Sequence, residues 1–215
     1  MKILLPILSC VFITLISCEK EKIDLKNYFP LVDGTEWCYG NYYEGEPLPF
    51  LAATWKIQGD TTLDGKVYKE LNLFNQPYKI IREENGEFFK RKVSGFGTTT
   101  GYELLFLKTN DADGATWEQL IGTDKYVISQ EVIPELTLSG ELWKDVIKVT
   151  IQIFYTNLDG EFEAVLDPET NEPAAARYNF ANGTGLISLY EPFSFTHFSD
   201  FSYATFNSME IMECQ

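Results

Sequence analysis

The sequence predicts an antiparallel all-β domain, built as a strongly curved sheet or open barrel. Three observations carry that expectation. Turn dipeptides recur along the chain: Asp33-Gly34, Asp64-Gly65, Asn85-Gly86, Asp113-Gly114, Ser139-Gly140, Asp159-Gly160 and Asn182-Gly183. Asn-Gly and Asp-Gly supply the positive φ values that tight hairpins require. The runs between these turns are rich in β-branched and aromatic residues, and none sustains an apolar stripe at helical spacing. Short links of this kind join antiparallel neighbours, since parallel strands need long crossovers.

In chain order the strand-like runs are 35–43, 53–58, 67–74, 78–82, 87–93, 102–108, 125–133, 146–155, 161–166, 176–180, 185–190 and 205–212. The run 146–155 alternates cleanly. Ile147, Val149, Ile151, Ile153 and Tyr155 share the face expected in the core, and Val146, Lys148, Thr150, Gln152 and Phe154 share the other. Two stretches read as surface loops: 44–50 (EGEPLPF) and 167–175 (DPETNEPAA), both marked by prolines and acids. An internal echo points to two similar halves. Thr62-Leu63-Asp64-Gly65 and the six residues after it match Thr137-Leu138-Ser139-Gly140 and its continuation, and a Gly-x-x-Trp precedes each copy, at Gly34–Trp37 and Gly114–Trp117.

The N-terminus sets the cellular expectation. Met1-Lys2 is followed by an uncharged run, Ile3 to Ile16. That run is short of the roughly 20 residues a membrane-spanning helix needs and fits the apolar centre of a secretory signal peptide. Leu15-Ile16-Ser17-Cys18 resembles a bacterial lipobox, which implies cleavage before Cys18 and acylation of its sulfur. The expected organisation is a lipoprotein signal peptide at 1–17, a lipidated Cys18 with a charged tether at 18–27, and a single β-rich domain at 28–215. The membrane is then a partner through the N-terminal anchor. A single acyl chain holds weakly, and two or three hold firmly. The whole chain carries a net charge of −15, and residues 1–17 contain one lysine and no acid. So acidic a surface excludes nucleic acid as a partner, because phosphate binding needs concentrated Lys and Arg.

Besides Cys10 and Cys18 the chain has Cys38 and Cys214, one near each end of the domain. An exported protein meets an oxidising compartment, so these two are candidates for one disulfide or for two separate buried thiols. Neither has a basic neighbour in sequence that would mark a reactive thiolate.

Tyr28-Phe29-Pro30-Leu31, then Gly34, Trp37 and Tyr39, resemble the YFPL..G..W.Y opening of Bacteroidetes-type lipoproteins. Tyr178 to Ile187, YNFANGTGLI, resembles the aromatic segment leading to G-x-G-L-(I/V) near their end. The resemblance implies a β-rich extracytoplasmic lipoprotein and no particular activity.

No residue set selects a reaction. His197 is the single histidine, and neither an H-E-x-x-H nor a G-x-S-x-G segment is present. Thr109 to Gly114 departs from the calcium-loop template at its first ligand and at its closing acid, so no metal site is expected there. No cofactor is expected. With 32 acids some pair of carboxylates will lie close, but nothing singles one out for glycoside hydrolysis. The aromatics are more informative. Phe193, Phe195, Phe198, Phe201 and Tyr203 crowd one segment at irregular spacing; core packing is the default reading, and they are also the candidate ligand-contacting rings. The leading expectation is an outer-membrane lipoprotein, facing the periplasm or the outside, that acts as a non-enzymatic binding module. Its ligand would be an apolar molecule, a glycan or an envelope protein. The alternatives are a glycan hydrolase using acidic residues and a purely structural scaffold.

Overall fold

The computed structural model describes residues 28–43, 46–92, 102–110, 113–166, 171–190, 208–212 and 214. The named elements are all strands: β1 (Glu36–Tyr43), β2 (Glu46–Leu63), β3 (Lys66–Leu73), β4 (Gln76–Glu84), β5 (Glu87–Lys92), β6 (Leu104–Lys108), β7 (Thr116–Ile121), β8 (Asp124–Leu138), β9 (Glu141–Thr156), β10 (Phe162–Ala164), β11 (Ala175–Ala181), β12 (Gly185–Tyr190) and β13 (Ser208–Met212). They form one antiparallel sheet in the order β6-β5-β4-β3-β2-β1-β13-β12-β11-β9-β8-β7, with β10 paired to the outer part of β9. The sheet curls until its two end strands, β6 and β7, face each other, so the barrel is closed except for one seam.

The echo in the sequence has a structural counterpart. Each Gly-x-x-Trp leads a first strand, β1 or β7. That strand pairs with a long second strand, β2 or β8, which ends in the T-L-x-G turn and returns as β3 or β9. Both turns place two consecutive residues at positive φ, 52° and 75° at Asp64-Gly65 and 50° and 81° at Ser139-Gly140. This is the type I′ geometry that matches strand twist. Beside each turn a leucine and an aromatic make a small cluster on the face away from the main core: Leu63 with Tyr68, and Leu138 with Trp143.

Several elements differ from expectation. β7 was not expected as a strand. Its alternation is diluted by Glu118 and Gln119, and Thr116, Glu118 and Leu120 face solvent. Glu46 to Phe50 was expected in a loop but belongs to β2, because its prolines fall near the β1–β2 hairpin, where Pro47 stands opposite Tyr42. β8 continues through Pro134. Its ladder passes from Ile133↔Val146 to Glu135↔Lys144, leaving Pro134 opposite Asp145. Asp145 takes a φ of 51°, a local irregularity at the point where the ladder lacks an N–H. In β9 the residues Ile147, Val149, Ile151 and Ile153 point into the main core as their parity requires, but Tyr155 lies past the core edge and is exposed. Val146, on the opposite face, is fully buried against Ala181 and Ile187.

First and last strands are neighbours. Cys38 of β1 stands opposite Met212 of β13. Cys38 and Cys214 are joined by a disulfide, their Cα atoms 5.2 Å apart and 176 residues apart in sequence. A loop of that size gives a stabilisation of roughly 3–5 kcal/mol in the chain-entropy account.

At the seam, side chains stand in for a missing ladder. The amide of Gln119 accepts from Leu105 N at 2.8 Å and donates to Glu103 O at 3.4 Å, and Trp117 Nε1 donates to Leu105 O at 3.1 Å. Buried Gln130 accepts from Lys108 N and donates to Lys108 O, both at 2.7 Å. A primary amide offers the same donor and acceptor as a peptide unit, so these glutamines cap the open edge of β6. Gln130→Leu leaves both Lys108 backbone groups without those partners. It should lower unfolding free energy by roughly 2–4 kcal/mol, measured by urea denaturation, whereas Glu118→Leu on the exposed face should change it little.

Candidate binding site in the barrel interior

The interior is organised around Phe29 and Trp37. Their rings stack with centroids 5.4 Å apart and planes within 2°. Phe29 also meets Phe88, Phe106 and Phe180 edge to face, with centroids 6.1, 6.1 and 5.6 Å away. Trp37 Nε1 donates to Thr184 O at 2.7 Å, and the buried Tyr39 hydroxyl donates to Leu186 O at 2.9 Å. Burial holds the Tyr39 hydroxyl well above the ordinary phenol range. Between these two bonds lies Gly185, with φ 102°. A Cβ there would sit 2.9 Å from Trp37 Nε1. Only glycine combines that backbone angle with that approach. The segments 28–39 and 178–187 therefore pack together, with β13 laddered between β1 and β12.

Beside this cluster is an interior pocket lined by Phe29, Trp55, Phe106, Tyr178, Phe180, Lys79 and Lys90, with Leu71, Ile81 and Leu186. Strand parity puts the lysines there. Lys79 and Ile81 share the inner face of β4, Phe88 and Lys90 share that of β5, and Ile81 stands directly opposite Lys90. Lys79 is 2% exposed and Lys90 3%. The Lys90 ammonium lies 4.7 Å from the Tyr178 ring centre and 5.3 Å from that of Phe106, and it donates to Tyr178 Oη at 3.3 Å. The Lys79 ammonium is 5.9 Å from the Trp55 ring centre. Both lysines and Tyr178 have further partners as well. Ring faces carry negative charge density that stabilises a desolvated cation. The cavity measures about 20 Å³, room for one water-sized group. Pockets for drug-sized ligands run to roughly 300–1,000 Å³.

The outer face of the same strands carries a different charge arrangement. Arg82 stacks on Phe89 at 3.8 Å. Glu103 accepts from Arg82 Nε at 2.6 Å and Arg82 Nη2 at 2.9 Å, from Tyr68 Oη at 2.7 Å and from Lys66 at 3.1 Å. Burial alone would push the Glu103 carboxyl up. The hydrogen bonds from Arg82, Tyr68 and Lys66, with the Arg82 charge, outweigh it and lower the group to about 2. A carboxylate so fully engaged is an anchor for its neighbours and has little capacity left for proton transfer.

Cys18, Phe193, Phe195, Phe198, Phe201 and Tyr203 lie outside the described residues, as does His197. Glu36 approaches Cys38 and Cys214, but both sulfurs are committed to the disulfide and cannot act as thiolate ligands. Asp113 of the calcium-like stretch accepts from Val132 N at 3.3 Å and so belongs to the turn into β7. The sequence reading did not single out Lys79 and Lys90. Their signal was parity: each lies two residues from a core residue on the same strand face, Ile81 and Phe88.

Fold and site together define an antiparallel, nearly closed β-barrel with a cationic, aromatic interior. A solved structure with a partial likeness is a protein from Parabacteroides distasonis ATCC 8503 provisionally assigned as a lipoprotein. It aligns with 13% identity and a TM-score of 0.40 over 86% of this chain and 96% of that one. No protein-family model matches the chain, and no curated protein does.

Two outcomes are expected. Gly185→Ala should cost roughly 2–4 kcal/mol through left-handed strain and the clash with Trp37, read as a lower thermal midpoint. Because the folded Glu103 carboxyl is held below its ordinary value near 4.5, its contribution to stability is present above that pH and is lost as pH falls towards about 2. Urea titrations between pH 6 and pH 2 on the chain and on Glu103→Gln should show this acid-sensitive portion in the first and not in the second.

Proposed function

We propose that this chain is a lipid-anchored lipoprotein of the bacterial outer membrane, and that its barrel is a non-enzymatic binding module that holds the polar end of a ligand in its interior. The observation that carries this reading is the convergence of Lys79, Lys90 and Tyr178 in an aromatic-walled pocket. Buried ammonium groups are costly to desolvate, and an apolar side chain of similar volume would serve the fold at least as well. A site that keeps two of them is a candidate for recognition. The anchor rests on the lipobox-like Leu15-Ile16-Ser17-Cys18. Among the described residues, those lining the pocket include no carboxylate, and Glu103 is held ionised on the outer face. Both points favour binding over acid-dependent hydrolysis.

A second reading, docking of an envelope protein, is favoured by one feature. Tyr155, Leu158, Phe162 and Leu166 are exposed at the β9–β10 hairpin, Leu158 completely.

Native mass spectrometry of the exported protein, released gently from membranes, tests the proposal. The expected result is an added mass beyond the lipid anchor that is lost on denaturation. A chain carrying only its anchor, under conditions that preserve the folded charge-state distribution, would count against a resident ligand and in favour of the docking reading.

A further inference from the structure

We propose that the Cys38–Cys214 disulfide is a redox-sensitive latch on β13 with one attackable sulfur, that of Cys214, and that the Glu36 carboxylate beside it selects against anionic thiols. The latch is independent of the interior pocket and concerns the joint between β1 and β13.

Strand parity builds the site. Trp37 and Tyr39 point into the core, so Glu36 and Cys38 share the outer face of β1. Their cross-strand partners on β2 are Lys56 and Thr54. A carboxylate oxygen of Glu36 and the sulfurs of Cys38 and Cys214 all lie within 4.8 Å of one another. The Lys56 ammonium stands 3.9 Å from Glu36, and both side chains are exposed. Such a pair is weak, and the carboxylate remains a negative charge at the sulfurs. Glu210 stands further along β13, opposite Gly40, and accepts from Ser139 Oγ. The two sulfurs differ in access. Cys38 is 3% exposed, with Thr54 Oγ1 4.0 Å from its sulfur. Cys214 is exposed.

Thiol–disulfide exchange begins when a thiolate attacks one sulfur and the other leaves. Access directs a small monothiol to Cys214. Its sulfur bonds to Cys214 Sγ, the protein S–S bond breaks, and the electron pair of that bond goes to Cys38 Sγ, which takes a proton from water. A second monothiol attacks the mixed disulfide and releases Cys214 as a thiol. The protein disulfide is thereby reduced, and the two monothiols are oxidised to their own disulfide. The incoming thiolate and the departing Cys38 thiolate are both negative and both close to Glu36. Like charges at this range repel even with water nearby, so each step is slowed. A monothiol that carries its own carboxylate is slowed further, and one that carries an ammonium group is favoured, most of all at low salt. The consequence falls on β13. It is five residues long and is the only strand between β1 and β12. Cutting the bond unties its Met212 end, which pairs with Cys38.

The test compares thiols of opposite charge. The full exported protein, folded and at low ionic strength, is reduced with 2-aminoethanethiol and with 3-mercaptopropionate. Each rate constant, taken per thiolate, is divided by that for a small neutral disulfide. The expected result is a preference for the cationic thiol. Glu36→Gln should lower that preference about threefold or more, and Lys56→Gln should raise it. Glu161→Gln, an equal change of charge beside β10, should leave it nearly unchanged. Samples quenched in acid, alkylated and digested should carry the small thiol on Cys214 and the alkyl group on Cys38. After full reduction, amide exchange should rise at Ile211 and Met212 and not in the β8–β9 ladder. A preference that Glu36→Gln leaves unchanged overturns the role of Glu36. The small thiol recovered on Cys38, or a folded chain that neither thiol reduces, overturns the choice of sulfur. Exchange that rises throughout the barrel, or nowhere, overturns the latch. If Glu36→Gln does not fold, the change in preference on Lys56→Gln decides the role of the carboxylate.

Discussion

The architecture depends on the clasp between Trp37 and the β11–β12 turn. One ring face is covered by Phe29, the indole N–H is spent on Thr184 O, and the absent side chain of Gly185 lets the two elements touch. In sequence, 147 residues separate the bonded partners. The contact therefore closes nearly the whole domain, and its formation bears a correspondingly large loop-closure cost. Phe29 converts that one contact into a core, because the same ring meets Phe88 of β5, Phe106 of β6 and Phe180 of β11. The two halves of the sheet are thereby joined through their interior as well as through the β1–β13 ladder and the disulfide.

That central join explains why the far edges can remain unpaired. A sheet pinned in the middle and curled by its twist brings β6 and β7 face to face. An open edge of β6 would invite pairing with another chain. Gln119, Gln130 and Trp117 remove that hazard by occupying the backbone groups of Glu103, Leu105 and Lys108. Side-chain capping closes the seam with less cooperativity than a strand ladder, since each amide is held by its own rotamer.

Much of this was legible in the sequence, and the parts that were not share a cause. The hairpins at Asp64-Gly65 and Ser139-Gly140 could be read because positive φ leaves a local chemical mark. The parity of Ile147 to Ile153 could be read because a strand buried on one face alternates. β7 could not, because five of its six residues serve the seam or face water, and glutamine carries no local sign that its amide will replace a peptide. The aromatic segment 193–203 drew attention through composition alone and lies outside the described residues. Lys79 and Lys90 were hidden for the opposite reason. A lysine in an alternating strand reads as solvent-facing, and only the register of β4 against β5 shows that both fall on the inner side.

The inner and outer faces of β4 and β5 show how one pair of strands handles buried charge in two ways. Outside, Arg82 is satisfied within the protein: Glu103 and Glu84 neutralise it, and Phe89 covers its plane. Such a set is complete, and adding a ligand to it would break existing bonds. Inside, the same two strands present Lys79 and Lys90 to the rings of Trp55, Phe106 and Tyr178, whose faces stabilise a desolvated cation, and Lys90 also donates to Tyr178 Oη. Arg82 fixes local geometry through a planar fork matched to a carboxylate, whereas a lysine is a compact charge on a flexible stem. The register of the strands thus separates two ways of holding buried charge, a carboxylate network on the outer face and aromatic ring faces on the inner one.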